Sequence, residues 1–246
     1  MQGKVILVTG GAKRVGAAIC RRLHEQGARL IVHYRSSFDE AKALCDELNH
    51  KRSHSAALAQ ADLLETELLS GFIEKTINRF GQLDVLVNNA SSFFPTPLHH
   101  CTLEDWHDLV GSNLQAPLFL SQAAAPYLKA RQGCIVNIVD IHTERPLKNH
   151  VIYNAAKGGL LALTKSLAVE MAPEVRVNGV SPGPILWPED GEWTDEEARQ
   201  QIVASTLLKR CGEPEDIAKT AQFLIADAPY ITGQIIAVDG GRSIFL

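Results

Sequence analysis

Val5-Ile6-Leu7-Val8-Thr9-Gly10-Gly11-Ala12-Lys13-Arg14-Val15-Gly16 stands near the head of the chain and carries its strongest structural signal. Four apolar residues, three of them β-branched, read as a strand; the glycines allow a tight turn; and 15–26 continues with helical period. Where a helix starts this way its first N–H groups lack partners, and its dipole favours an anion such as a pyrophosphate. Gly10, Lys13, Val15 and Gly16 are therefore candidate dinucleotide-binding residues. Arg14 stands where such turns usually carry glycine, and its guanidinium suits a phosphate or a planar acceptor.

Further short apolar runs lie at 30–34, 85–87, 135–139, 175–180 and 235–238, with a weaker one at 55–61. Helical periods at 38–49, 64–80, 116–130 and 155–171 fall between them. Continuous apolar strands alternating with helices predict an α/β doubly wound parallel sheet, a Rossmann fold with helices on both faces. No linker splits the 246 residues, so 1–246 reads as one domain. A content of 46% hydrophobic and 21% charged residues excludes disorder. The net charge of -4 argues against nucleic acid as a partner. Five scattered cysteines (20, 45, 101, 134, 211) show neither disulfide nor metal-ligand spacing, and no run is long enough for a signal peptide or membrane span. A cytoplasmic, metal-free protein is the expectation.

The second strand ends in His33-Tyr34-Arg35-Ser36-Ser37. A carboxylate there would bond a ribose 2′-hydroxyl and repel a 2′-phosphate; a guanidinium and two hydroxyls instead favour NADPH over NADH. Tyr153 and Lys157, four apart, share a helix face. A neighbouring ammonium is expected to lower the phenol's pKa into the range of a working proton donor. The stretch 181–197 holds three prolines, Trp187, Trp193 and six acids after a strand's C-terminal end, so a substrate lid is expected at about 183–208.

With Asn88-Asn89-Ala90 after one strand and Asn113 before an apolar helix, the whole chain resembles the short-chain dehydrogenase/reductases. The resemblance implies seven parallel strands and a homotetramer. It implies Asp62 and Leu63 as adenine contacts, Asn89, Ala90 and Ser91 along the cofactor, and Pro182, Gly183 and Ile185 at the nicotinamide. Asn113, Tyr153 and Lys157 become catalytic residues, and Asp239-Gly240-Gly241 is the C-terminal signature.

Where the wider family has serine, thirteen residues before the tyrosine, this chain has Asp140. A carboxylate, like a carbonyl oxygen, is an acceptor, and so pairs badly with a ketone. It suits a substrate that needs a proton on a ring nitrogen. Arg14 in T-G-x-x-x-R-x-G, Ser91-Ser92-Phe93-Phe94-Pro95, and Asp140 with Tyr153 and Lys157 together resemble the pteridine reductases. That resemblance implies NADPH-dependent reduction of dihydropterins, and of oxidised pterins and folates as further substrates. It places the pterin between nicotinamide and Phe93, with Ser91, Arg14, Asp140, Tyr153 and Trp187 as substrate-binding residues. The tail Arg242-Ser243-Ile244-Phe245-Leu246 departs from the one those enzymes lend to a neighbouring subunit. The alternatives are a carbonyl reductase for oxoacyl thioesters, sugars or ketones, or a nucleotide sensor that has lost catalysis.

Overall fold

The computed structural model describes residues 1–187 and 195–244. Trp193, three of the six acids expected in the lid (Glu189, Asp190, Glu192) and the last two residues lie outside this range. In chain order the elements are β1 (Val5–Val8), α1 (Arg14–Glu25), β2 (Arg29–Tyr34), α2 (Phe38–Lys51), β3 (Ala56–Gln60), α3 (Leu69–Ile77), β4 (Val85–Asn88), α4 (Leu103–Val110), α5 (Ala116–Ala130), β5 (Cys134–Ile138), α6 (Val151–Met171), β6 (Arg176–Pro182), α7 (Glu196–Ala204), α8 (Pro214–Ala226) and β7 (Ile235–Val238). All strand pairs are parallel, in the order β3-β2-β1-β4-β5-β6-β7.

The side-chain period of two explains both layers. In β1, Ile6 and Val8 pack into one core with Leu23 of α1, Leu44 of α2 and Leu224 of α8. Val5 and Leu7 turn to the other face, where α3 (Ile73), α5 (Leu120) and α6 (Met171) cover them. Every residue of β1, β4 and β5 is buried, hence the unbroken apolar runs.

Five helices differ from the sequence expectation. The run at 64–80 is a 3-10 turn, Thr66–Leu68, followed by a shorter α3. Helix α6 begins four residues before 155, so Tyr153 lies inside its first turn. Helices α4, α7 and α8 were not expected. Helix α8 starts at Pro214, with a reciprocal capping box between Glu213 and Asp216. No helix among the described residues is long and apolar enough to cross a membrane.

Strand order reverses between β1 and β4, and the C-terminal strand ends border a cleft there.

Candidate active site

The cleft has a volume of about 420 Å³. Its floor is the turn after β1. Gly10 adopts φ +58°, and Gly16 approaches so closely that a Cβ would lie 2.2 Å from the Gly10 carbonyl oxygen. Thr9 Oγ1 accepts the N–H groups of Asn89 and Ala90 at 2.9 and 3.0 Å. Asn89 Nδ2 returns hydrogen bonds to the Thr9 and Gly10 carbonyls at 2.9 and 3.1 Å. These four bonds fasten the turn to the loop after β4.

Arg14 takes up a left-handed conformation, φ +51°, which explains why glycine is usual there and costs a non-glycine residue roughly 1 kcal/mol or more. Its Nη2 donates to the carbonyls of Leu186 and Trp187 at 3.2 and 3.1 Å, tying the turn to the segment after β6. Lys13 caps α1 without a side-chain hydrogen bond and pairs with Glu40 across 2.5 Å.

His33, in sequence only part of a strand end, braces the turn from beneath. Buried at 2% exposure, its Nδ1 accepts the Gly10 N–H at 2.9 Å, which puts the ring proton on Nε2, 3.2 Å from the Ala61 carbonyl. Burial lowers its pKa to about 4. A histidine kept neutral in the fold but titrating normally when unfolded contributes stability that is lost as pH falls from about 6.5 to 4, by up to roughly 3 kcal/mol. The unfolding free energy of the wild type is therefore expected to drop more steeply over that window than that of His33→Gln. Equal slopes in urea denaturation would refute the assignment.

On the far wall, the N-terminal turn of α6 carries Tyr153 and, one turn on, Lys157, with 4% and 3% exposure. Tyr153 Oη donates to Asp140 Oδ2 at 2.7 Å. The other carboxylate oxygen, Oδ1, accepts the His142 N–H at 2.8 Å and caps a 3-10 turn, which fixes the carboxylate. This geometry reverses the expected electrostatics. Burial first, then the Asp140 charge and its hold on the phenolic proton, raise the Tyr153 pKa well above its ordinary value, the Ser91 hydroxyl acting weakly the other way. Lys157 does not reverse the shift: Nζ donates to the Ile138 carbonyl at 2.9 Å and sits 5.8 Å from the phenol ring's centre. Burial lowers the pKa of this ammonium to about 8, against the pull of Asp140. Tyr153 is thus a neutral hydrogen-bond donor anchored on a carboxylate.

Phe93 lines the cleft beside it, stacked on His150 at 4.8 Å and meeting Tyr153 edge-on at 4.9 Å. The loop bearing it hangs on Asn113, whose Oδ1 accepts from Ser91 Oγ at 2.7 Å and whose Nδ2 donates to the Ser92 and Leu109 carbonyls, each at 2.9 Å. Asn113 belongs to a π-helical turn, Gly111–Gln115, that aims it inward. Fully buried and engaged by protein groups, it does not line the cleft, unlike the other residues expected to be catalytic.

Gly10, Lys13, Val15, Gly16, Asn89, Ala90, Pro182, Gly183, Ile185 and Trp187 line it, as do Arg14, Ser91, Phe93, Asp140, Tyr153 and Lys157. Tyr34, Arg35, Ser36, Ser37, Asp62 and Leu63 do not. Arg35 and Ser36 are exposed beyond β2, Tyr34 packs on Phe38, and Leu63 turns its side chain into the core, leaving only its backbone for a ligand. Asp62 Oδ1 accepts the Leu64 N–H at 3.0 Å. His142, Leu147 and Arg242 line the cleft without having been expected there. No group of three or more His, Cys, Asp or Glu side chains among the described residues is arranged to hold a metal.

A family model described as enoyl-(acyl carrier protein) reductase matches residues 10–243. Pteridine reductase 1 of Leishmania tarentolae is 38% identical, the alignment covering 98% of this chain and 96% of that one. The 3-oxoacyl-[acyl-carrier-protein] reductase FabG of Staphylococcus aureus is 35% identical, over 97% of each. Among solved structures, a blue fluorescent protein from a metagenomic library in complex with NADPH superposes with a TM-score of 0.89, at 36% identity and 98% coverage of both chains. A match to relatives with different substrates over almost their entire lengths fits the shared strand–turn–helix floor and the Tyr153–Lys157 wall, and the chain belongs to the short-chain dehydrogenase/reductase family of oxidoreductases.

Proposed function

We propose that the chain is an NADPH-dependent pteridine reductase. The observation that carries this is Asp140: a carboxylate held by the Tyr153 phenol and the His142 N–H, in a cleft walled by the Phe93 ring. The residues fit the cofactor. The α1 N-terminus opens on the cleft without a side-chain cap, and β2 ends in exposed Arg35 and Ser36 with no carboxylate. The nearby acid Glu40 is neutralised by Lys13. Bound NADPH supplies the hydride.

The chain's own groups supply the rest. A ketone would need the phenol as donor to its oxygen, yet Asp140 takes that proton and would repel the developing oxyanion. A pterin, unlike a ketone, presents ring N–H and amino donors that Asp140 accepts in place of the Tyr153 hydroxyl, which frees the phenol to give its proton to the imine nitrogen. Phe93 offers its ring to a flat heteroaromatic ligand. The similarity to a 3-oxoacyl reductase favours a second reading, a carbonyl reductase in which Asp140 replaces the carbonyl-binding serine.

NADPH oxidation with dihydrobiopterin, dihydrofolate, dihydromonapterin and an acetoacetyl thioester, side by side, separates the two. Turnover of a pterin well above the thioester is expected; thioester turnover alone overturns the proposal. Phe93→Ala is expected to weaken pterin binding by about 5- to 150-fold, the worth of one aromatic stack, and to leave NADPH binding unchanged. Equal losses for both ligands would make Phe93 a packing residue only.

A further inference from the structure

Arg242 is a cleft residue that the chemistry above leaves unused. It follows the Asp239-Gly240-Gly241 turn and lines the cleft together with Asp140, His142 and Trp187. The turn is closed on both sides of it. The Asp239 carboxylate accepts the Gly241 N–H at 2.8 Å and the Ser243 N–H at 2.6 Å, while the Asp239 carbonyl accepts Arg242's own N–H at 3.3 Å. Gly183 presses against this turn so tightly that a Cβ would stand 2.6 Å from Asp239 Cα. Arg242 is therefore presented by a rigid support.

The other charges in the cleft have partners. Lys13 is paired with Glu40, Arg14 with the Leu186 and Trp187 carbonyls, Lys157 with the Ile138 carbonyl, and Asp140 with Tyr153 and the His142 N–H. The half-buried Arg242 guanidinium makes no side-chain hydrogen bond and no ion pair with a described residue, and it stands outside ion-pair distance of Asp140. Burial opposes its charge, and Asp140 and Asp239 only partly offset that. A half-buried guanidinium presents five donors in a planar fork that matches the oxygens of a carboxylate. The cofactor's phosphates have their own donors in the uncapped N–H groups at the α1 N-terminus.

We propose that Arg242 is a specificity-determining residue that binds a carboxylate on the substrate's side chain. The enzyme would then prefer a pterin whose side chain ends in carboxylates to one with a neutral hydroxylated side chain. The inference rests on the pteridine reading and names the substrate class within it.

The test compares dihydrofolate, which carries such carboxylates, with dihydrobiopterin, which carries none. Dissociation constants by protein fluorescence in the presence of NADP⁺, and kcat/KM, are measured for the wild type, Arg242→Gln and Arg242→Lys. Arg242→Gln is expected to weaken dihydrofolate by about 10- to 100-fold, as for loss of a charge-assisted hydrogen bond, and to leave dihydrobiopterin and NADPH binding unchanged. Arg242→Lys should restore part of the loss. Raising the salt from about 50 to 500 mM should erode the preference in the wild type and not in Arg242→Gln. Turnover of both pterins with equal losses, or with no loss for dihydrofolate, overturns the inference alone. Turnover of neither pterin by the wild type overturns the pteridine reading, and the inference with it.

Discussion

Tyr153→Phe is expected to lower kcat by roughly 10²–10⁴-fold, the contribution of a positioned proton donor, with NADPH still bound. The substitution deletes one atom and keeps the ring. Phe93 retains its edge-on partner at 4.9 Å, and the small cluster with Leu109 and Ile152 stays filled. Asp140 keeps one protein donor, the His142 N–H at 2.8 Å, so the 3-10 turn it caps survives. Stability should change by no more than about 1–2 kcal/mol, the net worth of one hydrogen bond. A large fall in kcat with little change in urea midpoint is thus the signature of a reacting group. A kcat within about tenfold of the wild type would show that the proton travels another way, through Asp140 or solvent.

Much of the fold was legible because local and global signals agree in it. The strand at 5–8, and that at 135–139 apart from Asn137, are apolar on both faces because helices cover both faces, so composition alone marks them. The first turn was legible because Gly10 and Gly16 stand where a side chain would collide with the backbone. Helix α8 was not: its start is written in Glu213, Pro214 and Asp216, residue types that also build loops, and only the reciprocal hydrogen bonds distinguish the two. The π-helical turn around Asn113 has no signature of its own, so its consequence, an asparagine spent on holding the Phe93 loop, could not be foreseen.

The site divides in the same way. Asp140 declared itself as a residue type out of place, but the spacing from Tyr153 to Lys157 told only which groups share a helix face. It could not tell that the phenol's hydrogen goes to Asp140 while the ammonium turns to a backbone carbonyl, and so the direction of the tyrosine's pKa was misread. His33 gave no signal at all, since a histidine in an apolar strand looks like any buried residue until its Nδ1 is seen 2.9 Å from the Gly10 nitrogen.

Gly16→Ala is expected to weaken NADPH binding by about 10- to 100-fold, the worth of one phosphate contact through a backbone N–H. The added methyl would sit 2.2 Å from the Gly10 carbonyl oxygen and 2.7 Å from Asn89 Nδ2. The second neighbour can swing away, though only by giving up its hydrogen bonds to the Thr9 and Gly10 carbonyls. The first is backbone and cannot yield unless the turn opens, which moves the N–H groups at the start of α1 off the position a pyrophosphate occupies. Overpacking of this kind also costs about 1–3 kcal/mol of stability. Gly71→Ala separates the two effects, because that glycine lies exposed in α3 with nothing within 4 Å of its would-be Cβ. There the same methyl should stabilise by up to about 1 kcal/mol and leave cofactor binding alone. Fluorescence titration with NADPH checks the pair, and undiminished affinity in Gly16→Ala would mean that the close approach to Gly10 serves packing and not the cofactor.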